Sequence, residues 1–309
     1  MHLSLMKLIG SPLNYTGGKF RLLPQIRPLF PREIATFVDL FCGGGVVGAN
    51  VECQRVCFND INDKLINLLQ LFRQHDIDFI LENIETIIGR YGLSDSGKMG
   101  YGFYGCESGK GLGAYNKSPY LRMRDDLNSK RNLDDDYYLH LYVAMVYAFN
   151  NQMRFNSKGS FNLPVGKRDF NGRMRKKLCE FVERLHSIEV DFSARDFAEV
   201  DLDVLGADDF VYADPPYLIT CATYNENGGW SEAHEHQLYA TLDALHGDGV
   251  RFALSNVLST KGKENGILAR WLEEHPEYTC HHLNYTYSNS NYHKKDRDAV
   301  NDEVLIVNY

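Results

Sequence analysis

No apolar run in the chain is long enough to cross a membrane; the longest, such as residues 142–149, fall far short of a span. The start, residues 1–7, lacks a cationic stretch followed by a long apolar region and a small-residue cleavage site, so no leader is expected. No C-x-x-C pair occurs among the seven cysteines. Cys53 and Cys57 lie within one amphipathic stretch and Cys280 merely precedes His281 and His282, which argues against both a disulfide framework and a metal site. The thiols therefore read as buried groups in a reducing compartment, and a cytoplasmic, monomeric protein without a membrane partner is expected. No internal repeat is present. A positive charge balance is missing too, since the net charge is -8.

That deficit conceals an uneven distribution. Between residues 151 and 177 stand Arg154, Lys158, Lys167, Arg168, Arg173, Arg175, Lys176 and Lys177 against the single acid Asp169. Residues 189–214 instead hold nine acids and one base, Arg195. A basic strip on an acidic body can dock a polyanion, because the field that matters is that of the docking face. A solvated helix face is the competing reading of the same strip. At 309 residues and 44% apolar, the chain can bury one large core, or a main domain with a smaller insertion.

The most informative stretch is Asp214-Pro215-Pro216-Tyr217, which ends the apolar run Phe210-Val211-Tyr212-Ala213. The two prolines forbid further strand pairing and a regular helix, so the chain leaves the sheet stiffly with a carboxylate and an aromatic ring on a ledge. Ligands bind at the carboxyl ends of strands in open α/β sheets. Asp214 and the Pro215 carbonyl both accept hydrogen bonds and Tyr217 offers a stacking face, which suits a planar substrate bearing an amino group. The plainer reading is a Pro-Pro turn after a core strand, with Asp214 as a helix cap.

Upstream, Tyr15-Thr16-Gly17-Gly18-Lys19 is a polar Gly-Gly turn. Phe37-Val38-Asp39-Leu40-Phe41 reads as a buried strand, broken by Cys42-Gly43-Gly44-Gly45 before a small-residue helical start. Gly43, Gly45 and Gly48 match the dinucleotide spacing, but Asp39 would repel a pyrophosphate and welcome an ammonium. A second strand, residues 55–59, leads to Asp60 at about the distance where an acid grips ribose hydroxyls. Glycine turn plus acid favours an adenosine ligand without phosphates, such as S-adenosylmethionine.

Taken together, Tyr15-Thr16-Gly17-Gly18-Lys19, Asp39-Leu40-Phe41-Cys42-Gly43-Gly44-Gly45, Asn59-Asp60-Ile61-Asn62 and Asp214-Pro215-Pro216-Tyr217, in that order, resemble the DNA adenine methylase (Dam) family of N6-adenine methyltransferases. The segment from Phe149-Asn150 through Arg154-Phe155-Asn156 to Gly166 resembles that family's recognition signature. Asp196-Phe197 resembles its cofactor-ring motif, Leu254-Ser255-Asn256 a catalytic-domain strand, and the end from Glu303 to Tyr309 its closing strand. Tyr15 stands where the family usually has Trp, and Cys42 fills a variable slot.

The resemblance implies an α/β fold: a Rossmann-like S-adenosylmethionine-dependent methyltransferase sheet with a mainly helical target-recognition insertion. It assigns residues 1–63 and 171–309 to catalysis and cofactor binding, and 64–170 to target recognition. It also implies that Asp214, Pro215, Pro216 and Tyr217 act on an adenine extruded from double-stranded DNA. Tyr15, Lys19, Asp39, Phe41, Gly43, Gly45, Asp60, Asp196 and Phe197 would hold S-adenosylmethionine, with Asp39 and Lys19 meeting the methionine ammonium and carboxylate. Asn150, Arg154, Asn156, Lys158, Asn162, Lys167 and Arg168 would bind DNA. A cytosine N4 methyltransferase, a protein side-chain amide methyltransferase and a DNA-binding homologue without chemistry are the alternatives.

Periodicity adds helices over residues 64–81, 137–149 and 171–186, whereas residues 89–113, rich in Gly, Ser and Tyr, read as a loop. Short strands alternate with helices after residue 190, the pattern of a mostly parallel sheet.

Overall fold

Near-continuous buried runs account for the central strands of the sheet. The computed structural model describes residues 7–15, 17–107, 109–220, 229–284 and 301–309. Thr16 of the Gly-Gly turn and residues 1–6 of the chain start lie outside the described residues. The strands are β1 (Thr36–Asp39), β2 (Arg55–Asn59), β3 (Glu189–Ser193), β4 (Phe210–Ala213), β5 (Arg251–Thr260), β6 (Lys263–Glu264), β7 (Thr279–Leu283) and β8 (Asp302–Val307). They order as β3-β2-β1-β4-β5-β8-β7, with the two-residue β6 paired to β5. Pairings β1 with β2, β1 with β4 and β4 with β5 are parallel, and β8 runs antiparallel to both β5 and β7.

One face of the sheet takes every second residue: Val38 and Leu40, Val211 and Ala213, Phe252 and Leu254, Val304 and Ile306, all in one core cluster. The helices α8 (Glu232–Gly247) and α9 (Gly266–Glu274) cover it with Leu238, Leu242, Leu268 and Trp271. Phe37, Phe210 and Tyr212 point to the other face, where the Phe30 ring lies 5.0 Å from Phe210 and 5.6 Å from Tyr212. Burial on both faces is what a parallel sheet requires, and the expected α/β fold is the one observed.

The chain divides into two compact units. The sheet unit holds residues 19–42, 50–61 and 190–309; the helical unit holds 1–18, 43–49 and 62–189. The sheet unit also contains the short helix α1 (Leu23–Ile26). The helical unit contains α2 (Asp63–Gln74), α3 (Ile77–Tyr91), α4 (Ser96–Phe103), α5 (Gly113–Ser129), α6 (Asp135–Tyr147) and α7 (Gly172–His186). At its centre is α6, where Tyr137 through Tyr147 are all buried because α2, α3 and α5 pack around it. This unit reaches past residue 170, since the apolar face of α7 (Leu178, Phe181, Val182, Leu185) is buried and α7 packs with α2, α3 and α4.

Two local expectations differ. The single helix over residues 64–81 is two helices, because the Asp76 carboxylate caps α3 by accepting from Phe79 N–H at 2.8 Å. The stretch read as a loop over residues 89–113 contains α4, capped by Asp95 on Lys98 N–H and kinked at Gly100.

Candidate active site

β4 stops where expected: Asp214 follows its last residue and the prolines end the ladder. Asp214 is part-buried, with Pro215 buried beneath it. Its Oδ1 lies 2.8 Å from the Nζ of Lys19, a lysine with a side chain only 2% exposed. The same ammonium is 3.7 Å from Glu303 Oε1 and 4.9 Å from the centroid of the Tyr217 ring. Tyr217 donates its hydroxyl to Glu303 Oε1 at 3.0 Å. Four groups from the beginning, middle and end of the chain thus converge on the ledge. Burial pushes the Asp214 carboxyl above the ordinary range, and the Lys19 ammonium opposes that rise.

Next to the ledge in sheet order, β1 ends in Asp39, 1% exposed, and Asp60, 8% exposed, follows β2. Asn59 is the strut that sets them. Its buried amide donates to Leu40 O at 3.0 Å and to Arg195 O at 3.1 Å, while its oxygen accepts from Ser193 and from Arg195 N–H. The ends of β1 and β2 and the loop after β3 are thereby tied together. Both acids act on the Cys42 thiol, which is pushed well up, first by burial and then by the charges of Asp60 and Asp39. Two buried carboxylates with a shared negative field suit a cationic ligand bearing hydroxyls.

Beyond Asp196 the rings gather. Asp196 caps the short turn at Phe197 by accepting from Ala198 N–H at 3.0 Å. Phe197 is buried and its ring lies 5.4 Å from Phe41 and 5.6 Å from Trp230; Phe41 and Trp230 meet edge to face at 5.6 Å. Sequence reasoning missed Trp230, although it is one of only two tryptophans. It also missed what holds it. Trp230 donates its indole N–H to Glu235, and this fully buried carboxylate accepts three more hydrogen bonds, from Tyr239 at 2.6 Å and from Asn256 and Asn265 at 3.0 Å each.

In the helical unit, Gly43 has φ +49° and an added Cβ would sit 2.8 Å from Tyr15 Cδ1. The turn's bare backbone and the Tyr15 ring therefore require one another. Of the recognition candidates, Asn150, Arg154, Asn156, Lys158 and Asn162 fall on a hairpin bridged at Ala148 with Val165 and at Phe155 with Phe161. Arg154 Nε donates to Asn162 Oδ1 at 3.0 Å, so two of them form a pair. Asn156 Oδ1 accepts from Lys158 N–H and Ser160 N–H at 3.0 Å each, which makes it a turn former. Asn150 is exposed in a left-handed conformation, φ 57°. Lys158, Lys167 and Arg168 are exposed, whereas Asp169 beside them is fully buried and accepts from Ser94 and Ser96, pinning the strip. Arg175 is committed to Glu85 at 2.6 Å.

The family model described as D12 class N6 adenine-specific DNA methyltransferase matches residues 15–298. The chain is 40% identical over 307 residues to the type II methyltransferase M.FokI of Planomicrobium okeanokoites, covering 97% of this chain and 43% of that protein. To the modification methylase StsI of Streptococcus sanguinis it is 36% identical over 312 residues, covering 99% and 44%. It is also 26% identical over 216 residues to the DNA adenine methylase of Escherichia coli (strain K12), covering 69% and 66%. The chain thus spans less than half the length of the first two relatives.

Proposed function

The chain belongs to the D12 class N6 adenine-specific DNA methyltransferase family, and on that premise we propose that it transfers a methyl group from S-adenosylmethionine to N6 of an adenine turned out of duplex DNA. The observation that carries this reading is Asp214-Pro215-Pro216-Tyr217 at the carboxyl end of β4, with Asp39 and Asp60 at the ends of the next two strands. An exocyclic amine is a poor nucleophile because its lone pair is delocalised into the ring. Asp214 and the Pro215 carbonyl accept from its two N–H bonds and hold it pyramidal, so catalysis is by orientation and charge stabilisation. Tyr217 stacks on the extruded base and offsets part of the lost helix stacking. An acid at the head of the ledge favours adenine N6 over cytosine N4, whose enzymes usually carry Ser there.

The residues present fit the methyl donor, which when bound supplies an electrophilic methyl on a sulfonium. In the sheet unit Asp39 would meet its ammonium, Asp60 its ribose hydroxyls, and Asp196, Phe197 and Phe41 its adenine. In the helical unit the backbone at Gly43 and Gly45, with Tyr15 beside it, suits close approach of a ligand. Lys19, expected at the cofactor carboxylate, is shared between Asp214 and Glu303, and we assign it to the ledge. Asp60→Ala is expected to weaken S-adenosylmethionine binding by the worth of hydrogen bonds to a charged acceptor, about 1.5–3 kcal/mol; unchanged affinity by calorimetry would place the ligand elsewhere.

Asp214 stabilises the positive charge that develops on the amine only when ionised. Because burial raises its pKa, the folded protein holds a proton that the unfolded chain has lost. Its contribution to stability is therefore full below the ordinary carboxylate range and is lost as pH rises through the raised value. The acid limb of methyl transfer is expected above that ordinary range. Lys19→Met, which removes the opposing charge, moves the limb further up; a limb that stays in place in the variant contradicts the pairing.

We read the helical unit's hairpin and basic strip as the duplex-binding surface. Neutralising Lys167 or Arg168 is expected to weaken binding to all duplexes alike and to lower the salt slope by about one for each phosphate no longer neutralised. Changing Arg154, which takes Asn162 with it, alters sequence preference instead. Binding curves on cognate and altered duplexes that respond identically to all three changes would remove that distinction. The relatives named as modification methylases make a restriction-modification setting the natural one. Methylating a genome that lacks adenine methylation and mapping the modified positions tests the function: adenines in one defined sequence support it, and absence of methylated adenine refutes it.

A further inference from the structure

Glu303 is anomalous for its strand. Residues Val304 to Val307 of β8 are apolar and buried, and Glu303 itself is 1% exposed, paired in register with Val257 and Leu283. A carboxylate in such a place costs stability compared with a packed apolar residue unless charged and polar partners offset the lost hydration. Two of its partners are on the ledge. Oε1 accepts the Tyr217 hydroxyl at 3.0 Å and lies 3.7 Å from Lys19 Nζ, the ammonium that Asp214 holds at 2.8 Å and that approaches the Tyr217 ring to 4.9 Å. An aromatic platform alone needs no hydroxyl tie, and a lysine paired with Asp214 needs no second acid. Both ties converge on one oxygen.

We propose that Glu303 is a positioning residue for methyl transfer: it fixes the Tyr217 ring through its hydroxyl and shares the Lys19 ammonium with Asp214, so that stacking face and amine acceptor are set in one geometry before the base arrives. This rests on the adenine-methylation reading above. Without the tie, the ring keeps its area but loses its angle. Without the negative charge of Glu303 beside it, the Lys19 ammonium favours the ionised form of Asp214 more strongly.

The test uses the full chain with Tyr217→Phe, Glu303→Ala, their double variant and Glu303→Gln, on DNA lacking adenine methylation at saturating S-adenosylmethionine. Tyr217→Phe and Glu303→Ala are each expected to slow single-turnover transfer about tenfold, and the double variant no more than the slower single one. Glu303→Gln, which keeps an oxygen for the hydroxyl but not the charge, shifts the acid limb of the pH–rate profile to lower pH, a change that loss of packing alone would not produce. Losses that multiply in the double variant, or an unmoved acid limb in Glu303→Gln, overturn the proposal; the second criterion decides if Glu303→Ala does not fold. If the wild-type chain methylates no base at all, the function reading fails separately. The same cycle read in unfolding midpoints then decides the tie, non-additive shifts supporting it and additive ones overturning it.

Discussion

Asp214→Ala is expected to lower single-turnover methyl transfer at least about a hundredfold, ~2.7 kcal/mol of barrier, as removal of a preorganised charge-stabilising group does. The affinity for S-adenosylmethionine should change little, because the lost interaction is made to the reacting amine. The alanine variant carries a second effect. Lys19, 2% exposed, loses its 2.8 Å partner and keeps Glu303 at 3.7 Å, and breaking a buried pair from one side costs about 3–5 kcal/mol. Asp214→Asn separates the two: it preserves shape and one acceptor oxygen, so transfer should still collapse while the melting temperature falls less than in Asp214→Ala. Residual transfer within about tenfold of wild type in both variants would remove Asp214 from its role.

Glu235→Ala is expected to be the most destabilising single change outside the ledge. The indole of Trp230, the Tyr239 hydroxyl and the amides of Asn256 and Asn265 all end on this one carboxylate. Its removal leaves buried donors without an acceptor at about 1–3 kcal/mol each. Allowing for relaxation, a loss of at least about 3 kcal/mol corresponds to a melting temperature lower by roughly 6–12 °C. Since α8, β5, the start of α9 and Trp230 meet there, the ring cluster of Phe41, Phe197 and Trp230 should loosen too, weakening S-adenosylmethionine binding. Calorimetry showing a drop below about 2 °C would mean that water or rearranged partners satisfy the four donors.

The contrast between those two residues shows what a sequence discloses. Asp214 is legible because its meaning is local: an apolar run, an acid and two prolines determine strand, exit and ledge within a few positions. Gly43 and Asp60 are legible for the same reason. Glu235 is not, because on a helix of ordinary amphipathic pattern it reads as a surface acid, and only tertiary packing delivers four donors to it. Lys19 and Glu303 lie near opposite ends of the chain, so their junction over Tyr217 exists only once β8 is inserted beside β5. The hairpin residues carry contacts that spacing does not disclose: Asn156 accepts from the backbone of its own turn and Asn162 from Arg154. α4 was obscured by glycines that its Asp95 cap outweighs.

The most direct measurement incubates the protein with S-adenosylmethionine carrying a labelled methyl group and unmethylated duplex DNA, digests the DNA to nucleosides and identifies the labelled one by mass. N6-methyladenine is expected as the sole product in wild type, and its loss in Asp214→Asn. Label in N4-methylcytosine, or bound cofactor with no label in DNA, would contradict adenine methylation on this ledge.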